Sequence, residues 1–261
     1  MTKLMGVVNV TPDSFSDGGL YLDPEAAIGH GRELAVAGAE ILDLGGESTR
    51  PGADPVGEEE ELRRVVPVVQ GLQGTGAQIS VDTSKAAVAA AALDAGAEIV
   101  NDVTALRGDP DMASVCAERG ATVVLMHMLG DPRTMQRDPR YDDVVNDVKA
   151  FLGARLEAAV AAGIDEDRVW LDPGIGFGKT GAHNMELLRR LGELRELGRP
   201  LVVGTSRKSF IGKVDGSPAD QRLGGTVASS ILAAVEGADV LRVHDVAELR
   251  QALTVAAAIL G

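Results

Sequence analysis

Polar residues stand at the ends of several short apolar runs, and their types could bind a small polar ligand. Three of them, Asp82, Asn101 and Asp172, offer mainly hydrogen-bond acceptors, with one amide donor. A carboxylate accepts two parallel N–H bonds well, so this group suits a flat heterocycle with amidine-like or guanidine-like N–H edges. Any one of these residues could instead cap the following helix, but the recurrence favours a site.

A second group of residues is positively charged or suited to an anion. Arg242 and His244 alternate in one apolar run, which would place both side chains on the same side of a strand. Together with Asn9 they could hold a phosphate or diphosphate, with a hard divalent cation bound by the amide oxygen of Asn9. Lys208 lies between the two groups.

A repeated unit indicates how these residues are positioned. Four Gly-Ala pairs each open a short apolar run that reaches a polar residue, at 38–43, 96–101, 120–127 and 237–244. Glycine suits the left-handed cap that ends a helix, and the β-branched run after it suits a buried strand. The repeat therefore predicts an α/β fold with parallel strands.

Extending this unit predicts eight strands alternating with eight helices. The predicted strands cover about 4–10, 40–45, 77–82, 98–101, 122–127, 168–172, 200–204 and 239–243. The predicted helices cover about 24–38, 57–72, 84–96, 110–119, 142–162, 184–197, 219–236 and 245–260. This alternation favours a single (β/α)8 TIM barrel over residues 1–261, with its site at the carboxyl ends of the strands. No Gly-x-Gly-x-x-Gly follows the first strand, which disfavours a dinucleotide-binding fold.

Composition and spacing disfavour several other sites and partners. Residues 172–180 end like a P-loop, but Pro173 stands where that motif requires glycine. The four histidines lack zinc-ligand spacing, and the single cysteine, Cys116, is predicted to be a buried apolar residue. A net charge of −14 disfavours nucleic acid, and no apolar run reaches the ~20 residues of a membrane span. We expect a cytoplasmic protein with neither partner.

Seven segments, in order along nearly the whole chain, resemble the bacterial dihydropteroate synthases, the folate-pathway enzymes that sulfonamides block. They are residues 5–19, 45–52, 80–83, 101–103, 171–179, 204–210 and 242–245. The resemblance implies condensation of 6-hydroxymethyl-7,8-dihydropterin diphosphate with 4-aminobenzoate to give 7,8-dihydropteroate and diphosphate. It also implies a homodimer and a requirement for Mg²⁺.

The resemblance further implies a role for each matching residue. The pterin-binding residues would be Asp82, Asn101, Asp172, Lys208, Met126 and Phe177. The aminobenzoate-binding residues would be Thr49, Arg50, Pro51, Ser209 and Phe15. Asn9, Arg242 and His244 would bind diphosphate, with Asn9 also binding Mg²⁺. The catalytic residues would be Asp82, Lys208 and Asp17.

The expected mechanism is a dissociative substitution at the pterin methylene. Asp82 and Asp172 would stabilise the positive charge left by diphosphate, while loops 11–23 and 45–57 exclude water. Two alternatives stay open: a folate-dependent methyltransferase that acts on a corrinoid protein, and a family member that kept the fold and lost the activity. Asp43 and His127 also end strands, but we interpret both as structural.

Overall fold

In the part of the chain that the structure describes, eight parallel strands and their connecting helices make up the fold. The structure is a computed structural model that describes residues 2–11, 24–48, 55–130 and 134–261. The strands are β1 (Lys3–Asn9), β2 (Ile41–Gly45), β3 (Gln78–Asp82), β4 (Ile99–Asp102), β5 (Thr122–Met126), β6 (Val169–Asp172), β7 (Val202–Val203) and β8 (Val240–Val243). The α-helices are α1 (Pro24–Val36), α2 (Glu58–Gly71), α3 (Ala86–Asp94), α4 (Met112–Glu118), α5 (Val144–Ala161), α6 (Gly181–Arg189), α7 (Ser209–Asp215), α8 (Leu223–Val235) and α9 (Val246–Leu260).

The strands form one sheet that curls into a barrel. Each of β1 to β5 pairs with the next strand along the chain, β8 pairs with β1, and β7 pairs with β8. A single parallel bridge between Leu171 and Leu201 joins β6 to the segment that leads into β7. This closure confirms the predicted TIM barrel. The four glycines of the Gly-Ala pairs all have positive φ, with 106° at Gly38 and 112° at Gly96, as the predicted helix caps require.

Strand alternation divides the barrel into layers. Inside the ring, one apolar layer consists of Met5, Ile41, Ile99, Val124, Val202 and Val240, with Trp170 against it. Residues two positions further along the same strands point to the same side of the sheet. Those seven positions hold Val7, Asp43, Asn101, Met126, Asp172, Gly204 and Arg242, and four of the seven residues are polar. A polar layer therefore lies directly above the apolar one, toward the carboxyl ends of the strands.

The helical prediction was wrong at 184–197 and at 209–215, and the segment predicted over 219–236 opens with a separate 3-10 helix at 219–221. The helix predicted over 184–197 is two elements, because α6 starts after the capping residue Thr180 and residues 191–197 form a 3-10 helix. Helix α7 was not predicted, since seven residues are too few to show a clear period. Its buried Phe210 and Ile211 hold it against the barrel. Cys116 is buried on α4 as predicted.

None of the helices in the described ranges is long and apolar enough to cross a lipid bilayer.

Candidate active site at the carboxyl ends of the strands

The polar layer is organised around the carboxylate of Asp43. This side chain is fully buried and accepts hydrogen bonds from Ser80 Oγ at 2.6 Å and from Asn101 Nδ2 at 3.1 Å. Arg242 Nε adds an ion pair at 2.6 Å. Burial of a carboxylate is costly unless its oxygens are paired, and these three donors supply the pairing. Asp43 therefore fixes side chains from β3, β4 and β8.

Arg242 joins the two groups of residues that the sequence separated. One nitrogen of its guanidinium contacts Asp43, and another, Nη2, donates to Asp82 Oδ2 at 2.8 Å. Burial opposes the charge, yet the carboxylates of Asp43 and Asp82 raise the pKa of Arg242 above its usual value. Arg242, which was predicted to bind diphosphate, thus contacts Asp82, which was predicted to bind the pterin and to act in catalysis.

Asp82 retains one free acceptor inside the barrel. Its Oδ1 is buried and has no hydrogen-bond partner among the described residues. Burial raises the pKa of Asp82 to about 7, although the charge of Arg242 counters this effect. A buried oxygen without a partner is unfavourable, so a ligand that donates a hydrogen bond here would be stabilised.

Asn101 and Asp172 lie in the same polar layer, on β4 and β6. Asn101 uses its amide nitrogen on Asp43, while Asp172 Oδ1 accepts from the backbone N–H of Gly174 at 2.7 Å. Burial raises the pKa of Asp172, and the nearby charges of Lys208 and Arg242 counter the rise. Both side chains are buried, which suits a pocket for a flat heterocycle inside the barrel.

Lys208 extends from the residue before α7 toward the loop that follows β6. Its Nζ donates to the carbonyl of Ile175 and lies 4.6 Å from the centre of the Phe177 ring, a cation–π contact. Burial lowers the pKa of Lys208 to about 8, despite the opposing charge of Asp172. Phe177 also packs with Met126 in a small apolar cluster with Val103, Met128 and Met135.

The backbone before Lys208 is in an uncommon conformation. Arg207 has a φ of 56°, in the left-handed region that residues other than glycine rarely adopt. Its guanidinium pairs with Asp245, its N–H donates to Thr226 Oγ1, and its carbonyl accepts from Arg222. These contacts hold the turn that presents Lys208.

The remaining predicted residues take separate positions. His244 Nδ1 lies 2.9 Å from Ser206 Oγ, which ties the end of β8 to the loop after β7. Ser209 is exposed as the first residue of α7, and Asn9 ends β1. Phe15, Asp17, Thr49, Arg50 and Pro51 lie outside the described residues.

Sequence reasoning missed two residues of this region. Asp43 was interpreted as structural, but its direct contacts with Arg242 and Asn101 were not predicted. Lys179, at the end of the failed P-loop match, received no role, although it is only 2% exposed and contacts His127. A polar residue at an inward strand position was the available signal for Asp43.

Comparison with known proteins assigns the family. Residues 5–244 match the pterin binding enzyme family. A dihydropteroate synthase of Escherichia coli strain K12 is 46% identical over 99% of this chain and 92% of its own length. The chain belongs to the dihydropteroate synthase family. It is therefore a transferase.

One bifunctional relative and two solved structures support the same family. A probable bifunctional folylpolyglutamate synthase/dihydropteroate synthase of Haloferax volcanii is 50% identical over 98% of this chain, which spans only 30% of that relative. A dihydropteroate synthase of Yersinia pestis in a sulfonamide drug complex superimposes with a TM-score of 0.96, at 47% identity over 99% of this chain and 94% of that one. The Xanthomonas albilineans enzyme in complex with 7,8-dihydropteroate has a TM-score of 0.89 and 48% identity, over 100% and 94% of the two chains.

The raised pKa of Asp82 predicts a pH dependence of stability. Its pKa is about 7 in the folded protein against a usual 3.8, so between these values only the folded state keeps the proton. Stability from this group therefore falls as pH rises through that window. We expect the unfolding free energy of Asp82→Asn, relative to that of the unchanged protein, to rise by up to about 1.4 kcal/mol per pH unit from pH 5 to 7.

Urea denaturation at pH 5, 6, 7 and 8 measures this difference. Asp94→Asn is the matched control, because Asp94 is exposed and its hydrogen bond to Arg119 lowers its pKa, which places its titration below this window. If the free energy of unfolding had the same pH dependence in Asp82→Asn and in the unchanged protein, the raised pKa of Asp82 would be contradicted.

Proposed function

We propose that this enzyme joins 6-hydroxymethyl-7,8-dihydropterin diphosphate to 4-aminobenzoate. The observation that carries the proposal is the free buried Oδ1 of Asp82 beside the guanidinium of Arg242. An acceptor for a heterocycle N–H and a cation for a diphosphate thus lie within one hydrogen-bonded group. A substrate that is a pterin at one end and a diphosphate at the other matches both.

The bond changes follow from this charge arrangement. The bond between the pterin methylene and the diphosphate oxygen breaks, and its electron pair leaves with the diphosphate. Positive charge then spreads from the methylene into the pterin ring, where the carboxylates of Asp82 and Asp172 stabilise it. The amine of 4-aminobenzoate attacks the methylene and loses a proton. Arg242 and His244 stabilise the departing anion.

The residues around the ring would orient the pterin rather than react with it. Asn101 and Asp172 offer acceptors in the polar layer, and Phe177 with Met126 forms an apolar wall. The Nζ of Lys208 lies over the ring of Phe177, and Ser209, the next residue in the sequence, starts α7. This position suits a contact with both substrates.

The aminobenzoate pocket remains a prediction from the resemblance. Ser209 is its one member within the described ranges, and it is exposed and open to a ligand. Thr49, Arg50, Pro51 and Phe15 would complete the pocket, with Asp17 in a catalytic role.

The residues present are compatible with a Mg²⁺ ion at Asn9. The amide nitrogen of Asn9 is buried without a hydrogen-bond partner among the described residues, and rotation of the amide by 180° would put its oxygen there. Mg²⁺ commonly takes one or two protein oxygens together with waters and substrate phosphates. When bound, it would neutralise diphosphate charge and so favour departure of that group.

Asp82→Asn tests the catalytic proposal. The substitution keeps the size of the side chain but removes the charge that would stabilise the cation, so kcat should fall by about 100-fold or more. Diphosphate release from the pterin diphosphate and 4-aminobenzoate is the measurement. Asp94→Asn is the control for the same chemical change on an exposed side chain, and it should leave kcat unchanged.

The same assay has two further arms. Removal of Mg²⁺ with EDTA should slow diphosphate release, and Asn9→Ala should raise the Mg²⁺ concentration needed for half-maximal rate, whereas the exposed Asn146→Ala should not. Full activity of Asp82→Asn would refute the mechanism. A rate of diphosphate release that EDTA does not change would refute the proposed role of Mg²⁺.

We also propose that two copies of this chain associate through α8 and α9. These helices pack together, and α8 carries no charged side chain over its 13 residues. The pair exposes the apolar residues Leu232, Val235, Val255, Ile259 and Leu260. Since each copy has a net charge of −14, an uncharged face such as this one favours close approach of a second copy.

A charge on this face should separate the copies. Leu232 and Ile259 are 62% and 78% exposed, so the double change Leu232→Glu with Ile259→Glu should leave the fold intact and give a monomer. Light scattering after size exclusion measures the mass. Val36→Glu is the control, because Val36 is 90% exposed on α1, and it should stay dimeric. A monomeric unchanged protein would contradict the proposal.

A cytoplasmic location and the absence of a nucleic-acid partner stay predictions of the sequence, supported by the lone buried Cys116 and the acidic net charge.

A further inference from the structure

A lysine is buried behind the candidate pterin site. Lys179 is 2% exposed, and its Nζ lies 2.8 Å from His127 Nδ1 and 3.0 Å from the carbonyl oxygens of both Gly174 and Phe177. Burial lowers the pKa of Lys179 well below its usual range. Removing a lysine from water in this way is costly, so its contacts need an explanation beyond stability.

The contacts of Lys179 lie in the loop of residues 173–178, which we call the glycine loop. Gly174, Gly176 and Gly178 have φ values of 67°, 85° and 62°, so the backbone turns repeatedly. A Cβ at Gly174 would stand 1.9 Å from the carbonyl oxygen of His127, which shows how closely the loop approaches β5. Two of the loop's carbonyls are bound by Lys179.

Other side chains bind the remaining polar groups of the glycine loop. The N–H of Gly176 donates to Asn184, its carbonyl accepts from Gln136, and the carbonyl of Gly178 accepts from Tyr141. These three partners lie on α6 and on residues 134–141, whereas Lys179 directly follows the loop in the sequence. The loop is therefore held by side chains from three segments of the chain.

The glycine loop in turn holds three groups of the candidate site. The N–H of Gly174 donates to Asp172 Oδ1 at 2.7 Å, and the carbonyl of Ile175 accepts from Lys208 Nζ. Phe177 places its ring 4.6 Å from the same Nζ. A displacement of the loop would shift all three groups, whereas Lys179 itself acts on the side chains of Asp172 and Lys208 through its charge and not through a hydrogen bond.

The support from Lys179 does not depend on its charge. As an ammonium it has three N–H donors for the two loop carbonyls and for His127 Nδ1, with the carbonyl oxygen of His127 a longer contact at 3.4 Å. As a neutral amine it keeps two donors for the carbonyls, and its lone pair can accept from a protonated Nδ1 of neutral His127. Burial lowers the pKa of His127 to about 3, so this ring is neutral at ordinary pH. Both carbonyl contacts persist in either state.

We propose that Lys179 is a positioning residue for the pterin, because its hydrogen bonds to Gly174 and Phe177 fix the glycine loop and thereby Asp172, Phe177 and Lys208. The inference rests on the proposed function for the identity of the ligand. Its test separates the two, since pterin affinity can be measured without turnover.

Two substitutions of Lys179 leave different numbers of N–H donors on the side chain. Lys179→Met keeps an unbranched side chain and removes every donor, whereas Lys179→Gln keeps two N–H groups. Calorimetry with 6-hydroxymethylpterin should show an affinity loss of about tenfold or more for Lys179→Met and a smaller loss for Lys179→Gln. Lys149→Met, on the outer helix α5 and paired with Glu196, is the control and should bind normally.

Steady-state kinetics supply the second readout. With 4-aminobenzoate saturating, the KM for pterin diphosphate should rise in parallel with the binding loss. Unchanged pterin affinity in Lys179→Met, or equal losses for the Met and Gln variants, would overturn the proposal. If Lys179→Met does not fold, Lys179→Gln against the unchanged protein decides by the same criterion. Absence of diphosphate release by the unchanged protein would count against the proposed function alone.

Discussion

The ion pair between Asp43 and Arg242 is the interaction on which the site depends. A fully buried carboxylate must be compensated, and here the compensation comes from Arg242 Nε at 2.6 Å together with Ser80 and Asn101. The guanidinium is thereby held with a second nitrogen on Asp82. A single buried anion thus sets the positions of the cation, the amide and the second carboxylate that would meet the substrate.

The barrel makes this arrangement possible through the two-residue period of its strands. Ile41, Ile99 and Val240 fill one layer inside the ring, and the next inward positions along their strands are Asp43, Asn101 and Arg242. The apolar layer closes the barrel below and keeps water out, so charges above it interact in a medium of low polarity. The same burial raises the pKa of Asp82, since an ionised carboxylate loses solvation there.

The sequence was a good guide to the strands and a partial guide to the site. The Gly-Ala pairs marked helix ends because their glycines adopt positive φ, a local property. Asp43 and Asp82 looked alike as strand endings, and only the folded arrangement of β2, β3 and β8 shows that one Arg242 side chain contacts both carboxylates. Helix α7 escaped prediction because it depends on the burial of Phe210 and Ile211 rather than on a local pattern.

The most direct test of this account is the effect of Asp43→Asn on turnover. The variant keeps the volume and some hydrogen-bonding capacity of the side chain but removes the charge that orients Arg242. The account predicts a folded protein whose kcat/KM for pterin diphosphate falls by about 100-fold or more. A folded Asp43→Asn enzyme with kcat/KM within about twofold of the unchanged enzyme would contradict it.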